Sequence, residues 1–311
     1  MSYPSYFYPK NSLNLFGLDK DFNFLYSLYE QNNLPKVLLL SGTKGIGKST
    51  LVNHFLISVF DKNNYNITEK IISNKSSIYN QFKNNIFSNI IHMKGADFSS
   101  VKIDDIRNLK TKIFQSSIIN KDRFIILDDI ELFNNNCVNA LLKIIEEPSQ
   151  GNYFFLINNK ARPMLETIRS RSLEIKINLS DTDRLQITDK LINFFEVEKY
   201  LNPYELKLSP GNYLKFNHLC KENNILINED FIVNLTTILD LYKKKKDIIY
   251  ISMAFFIVDY YFKKLCDNKS LNREKIFYKR DFIFENLNNF RAYNINQNSL
   301  INVISNEINN E

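Results

Sequence analysis

Ser41-Gly42-Thr43-Lys44-Gly45-Ile46-Gly47-Lys48-Ser49-Thr50 fits the phosphate-loop pattern G-x-x-x-x-G-K-[ST], and few folds are open to a chain that carries it. The apolar run Val37-Leu38-Leu39-Leu40 before it reads as a buried strand, and Leu51 to Phe60 after it has apolar residues at helical spacing. Strand, loop and helix in that order are the context the motif requires. In such a loop Gly42, Gly45 and Gly47 let backbone N–H groups turn inward around a polyphosphate, and the helix that follows points its positive end at the same place. Thr43, Lys44 and Ile46 complete the turn. Lys48 is placed for the β- and γ-phosphates of ATP, Ser49 for Mg²⁺, and Thr50 opens the helix. The competing reading is a glycine-rich strand-to-helix turn that holds no nucleotide.

At 311 residues the chain has room for two or three domains. No apolar run approaches the ~20 residues of a membrane span. The first ten residues lack the charged and apolar regions of a signal peptide, so the expected location is the cytoplasm with no membrane contact. Cys137, Cys220 and Cys266 lie far apart, which argues against a disulfide framework and a zinc site. A net charge of +6 is compatible with an acidic partner such as DNA and decides nothing alone.

Further strands are expected at Ile90 to Met93, Phe124 to Asp129, Tyr153 to Ile157 and Leu173 to Ile177, with helices between them over residues 103–114, 135–146 and 164–169. Residues 61–85 read as a polar, irregular connection with some helix rather than a core element. Five strands with intervening helices imply a parallel, doubly wound α/β sheet. In such a sheet ligands gather beyond the carboxyl ends of the strands. Asp128 is therefore placed to hold Mg²⁺ and Asp129 to face an attacking water. The alternative is two acids that solubilise a strand end. After residue 178 the pattern turns helical. The expected domains are an α/β nucleotide-binding domain at 1–178, a small helical domain at 179–224 and a C-terminal all-α domain at 225–311. Lys243 to Lys246 reads as a solvated helix end, and Arg107, Lys110 and Lys112 form a candidate DNA-facing set on one helix.

Phe124 to Asp129, then Asn139-Ala140-Leu141-Leu142-Lys143-Ile144-Ile145-Glu146-Glu147-Pro148, then Thr167-Ile168-Arg169-Ser170-Arg171 resemble the bacterial clamp-loader branch of the AAA+ ATPases. Leu15-Phe16-Gly17 and Ile103-Asp104-Asp105-Ile106-Arg107 are similar to its delta-prime-type subunits. The resemblance implies an AAA+ P-loop module with a five-stranded parallel sheet and a helical lid, then a helical collar. It also implies partners: gamma or tau and delta subunits in a five-membered ring that sets a sliding clamp on primed DNA. Arg171 would act in trans as an arginine finger on ATP in a neighbouring subunit, where a planar, permanently charged donor stabilises developing charge. Asn158 or Asn159 would occupy the sensor position.

Three departures bear on role. The family's motor subunits end the acidic strand in Asp-Glu, whereas Asp129 is one methylene shorter. Gly211 stands where those subunits carry a nucleotide-sensing arginine. No cysteine lies between Ser49 and Asp128, so the zinc site common in the family is not expected. Two readings follow from the resemblance. One is a delta-prime-like subunit that donates Arg171 and whose own site is weak or idle. The other is a gamma- or tau-like motor whose Lys48, Ser49, Asp128 and Asp129 hydrolyse ATP.

Overall fold

The computed structural model describes residues 3–95, 101–114, 122–267, 273–293 and 295–309. Helix α1 (Asp19–Glu30) leads to β1 (Val37–Ser41) and α2 (Lys48–Phe60). A hairpin of β2 (Tyr65–Asn66) and β3 (Ile71–Ile72), then α3 (Ser77–Lys83), precede β4 (Ile90–Lys94) and α4 (Ile103–Phe114). There follow β5 (Arg123–Asp128), α5 (Asn135–Glu146), β6 (Asn152–Asn158), α6 (Glu166–Arg169) and β7 (Leu173–Lys176). The parallel sheet has the order β4-β5-β6-β1-β7. The α/β fold class expected from the strand pattern is the one observed.

Period-two alternation explains how one sheet serves two cores. Leu38, Leu40, Phe124, Ile126, Phe155 and Ile157 join a cluster with Phe22 and Leu25 of α1 and Val52 and Phe55 of α2. Their neighbours Val37, Leu39, Ile125, Leu127, Phe154 and Leu156 pack with Ile106 and Leu109 of α4 and Val138 and Leu141 of α5. A strand covered on both faces must be apolar throughout, and all five residues of β1 are buried. Each fully buried leucine there contributes about 1.5–3 kcal/mol of transfer free energy. Cap chemistry fixes where α5 begins: the Asn134 side chain accepts from Cys137 N. Pro148, two residues beyond its end, cannot continue it.

The register sets the site. Ser41 pairs with Asn158, and Lys94 with Asp128, so β1, β5 and β6 end level with one another and their following loops converge. Two local expectations are corrected. The acidic strand stops at Asp128, because Asp129 turns into the left-handed region at φ 53° and leaves the sheet. Residues 61–85 are not a mere connection: Tyr65, Ile72, Tyr79 and Phe82 are buried in the core beside α2. Their apolar side chains come from a short hairpin and one helix turn or two, too brief to show a period.

The chain divides into two compact units, residues 1–199 with 203–215, and residues 200–202 with 216–311. The first contains the sheet and α7 (Asp181–Phe194), which begins at the Ser180 cap. Helix α8 (Pro210–Glu222) starts in the first unit and ends in the second. The second unit is all helical: α9 (Phe231–Lys245), α10 (Ile248–Asp267), α11 (Arg273–Tyr293) and α12 (Gln297–Asn309). There α10 packs between α9 and α11, and α12 closes on both. Lys243, Lys244 and Lys245 end α9 in solvent, where cations suit the negative pole of a helix. Among the described residues no helix is long and apolar enough to cross a membrane.

Candidate nucleotide-binding site

The loop after β1 wraps back on its own lysine. Lys48, the first residue of α2, is almost fully buried, and its Nζ donates to Gly42 O at 2.7 Å and Thr43 O at 2.9 Å. Burial lowers its pKa to about 8, against the upward pull of the Asp128, Glu131 and Asp129 carboxylates. An amine held this way keeps its charge at neutral pH and has little water to give up when an anion arrives.

One residue on, Ser49 Oγ donates to Asp128 Oδ2 at 2.9 Å. Asp128 Oδ1 accepts from Asp129 N at 2.9 Å and from Asn159 Nδ2 at 3.2 Å. Burial, then the Asp129 charge, raises the Asp128 pKa, while the Ser49 hydroxyl and Lys94 oppose that rise. Asp129 Oδ1 accepts from Asn159 Nδ2 at 2.8 Å and pairs with Lys44 Nζ at 3.5 Å. Thus β1, β5 and β6 each deliver one part: the lysine loop, the acid pair and the asparagine. Of the two candidate sensor residues, Asn159 reaches both acids. Asn158 instead donates to Ser41 Oγ at 3.3 Å and accepts from Lys160 N at 2.9 Å. A cavity of about 860 Å³ reaches Ser49 and Asp128 along β4, past His92 and Lys94.

The outer side of the loop is tied to the start of α8. Ser209 Oγ donates to Lys44 O at 2.6 Å, and Gly211 N donates to Gly45 O at 2.9 Å. Gly45 has φ +87°, and a Cβ on it would lie 2.4 Å from Ser209 Oγ. A Cβ on Gly211 would lie 2.8 Å from Gly45 O. The two glycines face each other because neither side has space for a side chain.

Arg171 stands outside this network. It is one-third exposed, donates to Thr167 O at 3.2 Å, and pairs with Glu146 at 3.3 Å. Glu146 belongs to the Asn139 to Pro148 block, so the two sequence motifs touch. Arg107, Lys110 and Lys112 are each exposed on α4, with Arg107 paired to Asp104 at 2.8 Å.

Sequence reasoning missed two contributors. Glu131, in the turn Ile130–Leu132, is buried and accepts from Asn159 N and Ala161 N. Its only signal was a carboxylate amid apolar neighbours three residues after Asp128. Ser209 lies 165 residues from the Lys44 carbonyl it bonds, a separation no local pattern reveals.

The donor set fits a magnesium-bound nucleotide. The Ser49 hydroxyl and Asp128 carboxylate are oxygen ligands of the kind Mg²⁺ prefers, and Lys48 supplies the charge a polyphosphate needs. Comparison with known families then places the chain. The model of the family described as DNA polymerase III, delta subunit, matches residues 17–181, more than half of the sequence. The chain belongs to this family.

Within the DNA polymerase III proteins it is similar to several subunits. It is 32% identical over 146 residues to DNA polymerase III subunit gamma of Buchnera aphidicola subsp. Schizaphis graminum, covering 47% of this chain and 39% of that protein. It is 28% identical over 165 residues to subunit delta' of the same organism, covering 52% of this chain and 48% of that one. The chain spans less than half the length of these curated relatives. A crystal structure of a gamma subunit-related protein from Thermotoga maritima superposes with a TM-score of 0.49 at 16% identity, covering 92% of this chain and 98% of that one.

Proposed function

We propose that this DNA polymerase III delta-family chain is a delta-prime-like clamp-loader subunit working in the cytoplasm. It helps ATP-dependent loading of the sliding clamp onto primed DNA and donates Arg171 to the nucleotide site of a neighbouring subunit. Its partners are gamma or tau and delta subunits in a five-membered ring. Residues 179–224 serve as the lid and residues 225–311 as the collar that joins the ring. The observation that carries this reading is the contact of Gly211 with Gly45. An arginine that sensed nucleotide from this position would need space that the loop backbone fills.

ATP with Mg²⁺ would be held by the loop from Gly42 to Thr50, with Lys48 on the terminal phosphates and Ser49 and Asp128 toward the cation. When bound, that group supplies a phosphoanhydride and a counter-charge. Asn159 orients the acid pair, contacting Oδ1 of Asp129 together with Lys44, while the buried Oδ2 of Asp129 has no hydrogen-bond partner among the described residues. In trans, Arg171 would exchange Glu146 for a neighbour's γ-phosphate, a swap of one charge-assisted partner for another. The motor reading draws on the intact contact between Ser49 and Asp128.

The test is the ATPase of the reconstituted assembly. Arg171→Ala should lower it severalfold or more, while Lys48→Ala in this subunit leaves it nearly unchanged. Substantial loss with Lys48→Ala would make this subunit a motor.

A further inference from the structure

Glu131 is a buried carboxylate outside the phosphate-loop motif. It sits one turn beyond β5 with 7% of its surface exposed, among Ile130, Leu132 and Phe133. Burial raises its pKa. An ionisable group in such a place is costly unless it is fully compensated. What the carboxylate does is specific. Oε1 accepts from Asn159 N at 3.0 Å and from Ala161 N at 3.2 Å. Lys160, between them, has φ 58°, and its own N–H goes to Asn158 Oδ1. A left-handed residue flanked by converging N–H groups is the concave backbone arrangement that binds anions. Here the anion is a side chain of the same protein. Oε2 is buried and finds no hydrogen-bond partner among the described residues.

The consequence falls on Asn159. Its backbone is fixed by Glu131, and its side-chain Nδ2 bridges Asp128 Oδ1 and Asp129 Oδ1 at 3.2 and 2.8 Å. Among the described residues the Asn159 N–H has no other acceptor, so the rotamer that spans the acid pair depends on this carboxylate. The charge also reaches Lys48, whose pKa it raises together with Asp128 and Asp129.

We propose that Glu131 is a positioning residue that sets Asn159 on the Asp128–Asp129 pair and thereby makes the site distinguish a nucleoside triphosphate from a diphosphate. This rests on the nucleotide reading of the loop. The acid pair lies beside Ser49, at the end of the loop where the terminal phosphate of a triphosphate belongs. A misplaced Asn159 would thus weaken triphosphate binding and spare diphosphate binding, which uses the loop backbone and Lys48.

Two measurements on the full chain test it. The first is amide hydrogen exchange without nucleotide, on wild type, Glu131→Ala and Glu131→Gln. Glu131→Ala should speed exchange at Asn159 and Ala161 by at least about tenfold, and Glu131→Gln, which keeps a neutral acceptor, by less. Exchange in β6 should stay the same. The second is the ratio of affinities for a non-hydrolysable ATP analogue and ADP. Glu131→Ala should cut that ratio by about tenfold, with ADP affinity held within about twofold, and Glu131→Gln should recover most of it. Asn159→Ala should reproduce the loss, and combining it with the Glu131 change should add nothing.

Unchanged exchange at Asn159 and Ala161, or equal loss for both nucleotides, overturns the proposal. If Glu131→Ala does not fold, Glu131→Gln carries the exchange comparison with a smaller effect, and Asn159→Ala carries the nucleotide comparison with the full loss. If wild type binds neither nucleotide, the nucleotide reading falls and with it the triphosphate selectivity. The exchange data then still decide whether Glu131 positions Asn159.

Discussion

Raising the pH should weaken nucleotide binding through a single group, Lys48. Its pKa of about 8 in the free protein reflects burial. A polyphosphate favours the charged amine, so the bound-state pKa lies higher. The affinity is therefore full below the free pKa and declines as pH rises through it. Between about pH 7.5 and about pH 9.5 the charged fraction falls by roughly 25-fold, which corresponds to about 2 kcal/mol of binding free energy. The assay is titration calorimetry with a non-hydrolysable ATP analogue in two buffers of different ionisation enthalpy. At the upper pH, binding should take up close to one proton. Lys48→Arg cannot lose its charge in this range, so its profile should be flat, whatever its absolute affinity. A flat wild-type profile, or the same slope in Lys48→Arg, would refute the assignment of the titration to this amine.

Two further outcomes concern stability. Gly45→Ala places a Cβ in left-handed backbone and within 2.4 Å of the Ser209 hydroxyl. It should lower unfolding free energy by about 2–3 kcal/mol in urea, from left-handed strain plus the lost Ser209 bond. A loss under about 0.5 kcal/mol would mean that the loop is not clasped as described. His54 is buried in α2 with a pKa lowered to about 3, chiefly by burial. In the unfolded chain its pKa is near 6.5, so the unfolded state binds the extra proton. Stability is full above about pH 6.5 and is lost as pH falls toward 3, about 2 kcal/mol by pH 5. His54→Gln should flatten that part of the pH–stability curve, and an unchanged curve would place the acid sensitivity elsewhere.

The parts of this molecule that were legible in sequence are those governed by short-range periodicity. Val37 to Ser41 and Asn135 to Glu146 fall where apolar spacing and caps put them, because both elements bury whole faces. The boundary at Asp129 was not legible. An Asp after an apolar strand is compatible with one more extended residue, and only the φ of 53° takes it out of the sheet. The same holds for choosing between Asn158 and Asn159. Adjacent residues on a strand end point to opposite sides, and which side faces the acids depends on pairing Ser41 with Asn158. Tyr65, Ile72, Tyr79 and Phe82 were hidden for a different reason, since they enter the core from two-residue strands and a seven-residue helix. Glu131 and Ser209 act on backbone groups far along the chain, and nothing in their local sequence marks those partners.

The clasp of α8 on the phosphate loop bears on how a nucleotide could act here. In a loop of this kind the N–H groups turn inward to the phosphates and the carbonyls turn outward. Ser209 and Gly211 bond two of the loop's carbonyls, Lys44 O and Gly45 O, and those two bonds take up none of its N–H groups. The clasp and a bound nucleotide are therefore compatible. A ligand can shift a conformational equilibrium only by its difference in affinity between the two states. If the segment that starts α8 already contacts the loop in the free chain, nucleotide gains little from drawing it closer. On the delta-prime-like reading, ATP bound to this subunit would stabilise the fold by mass action rather than drive lid motion. The contribution to loading would then come from Arg171, whose partner Glu146 lies on α5, outside the clasped loop.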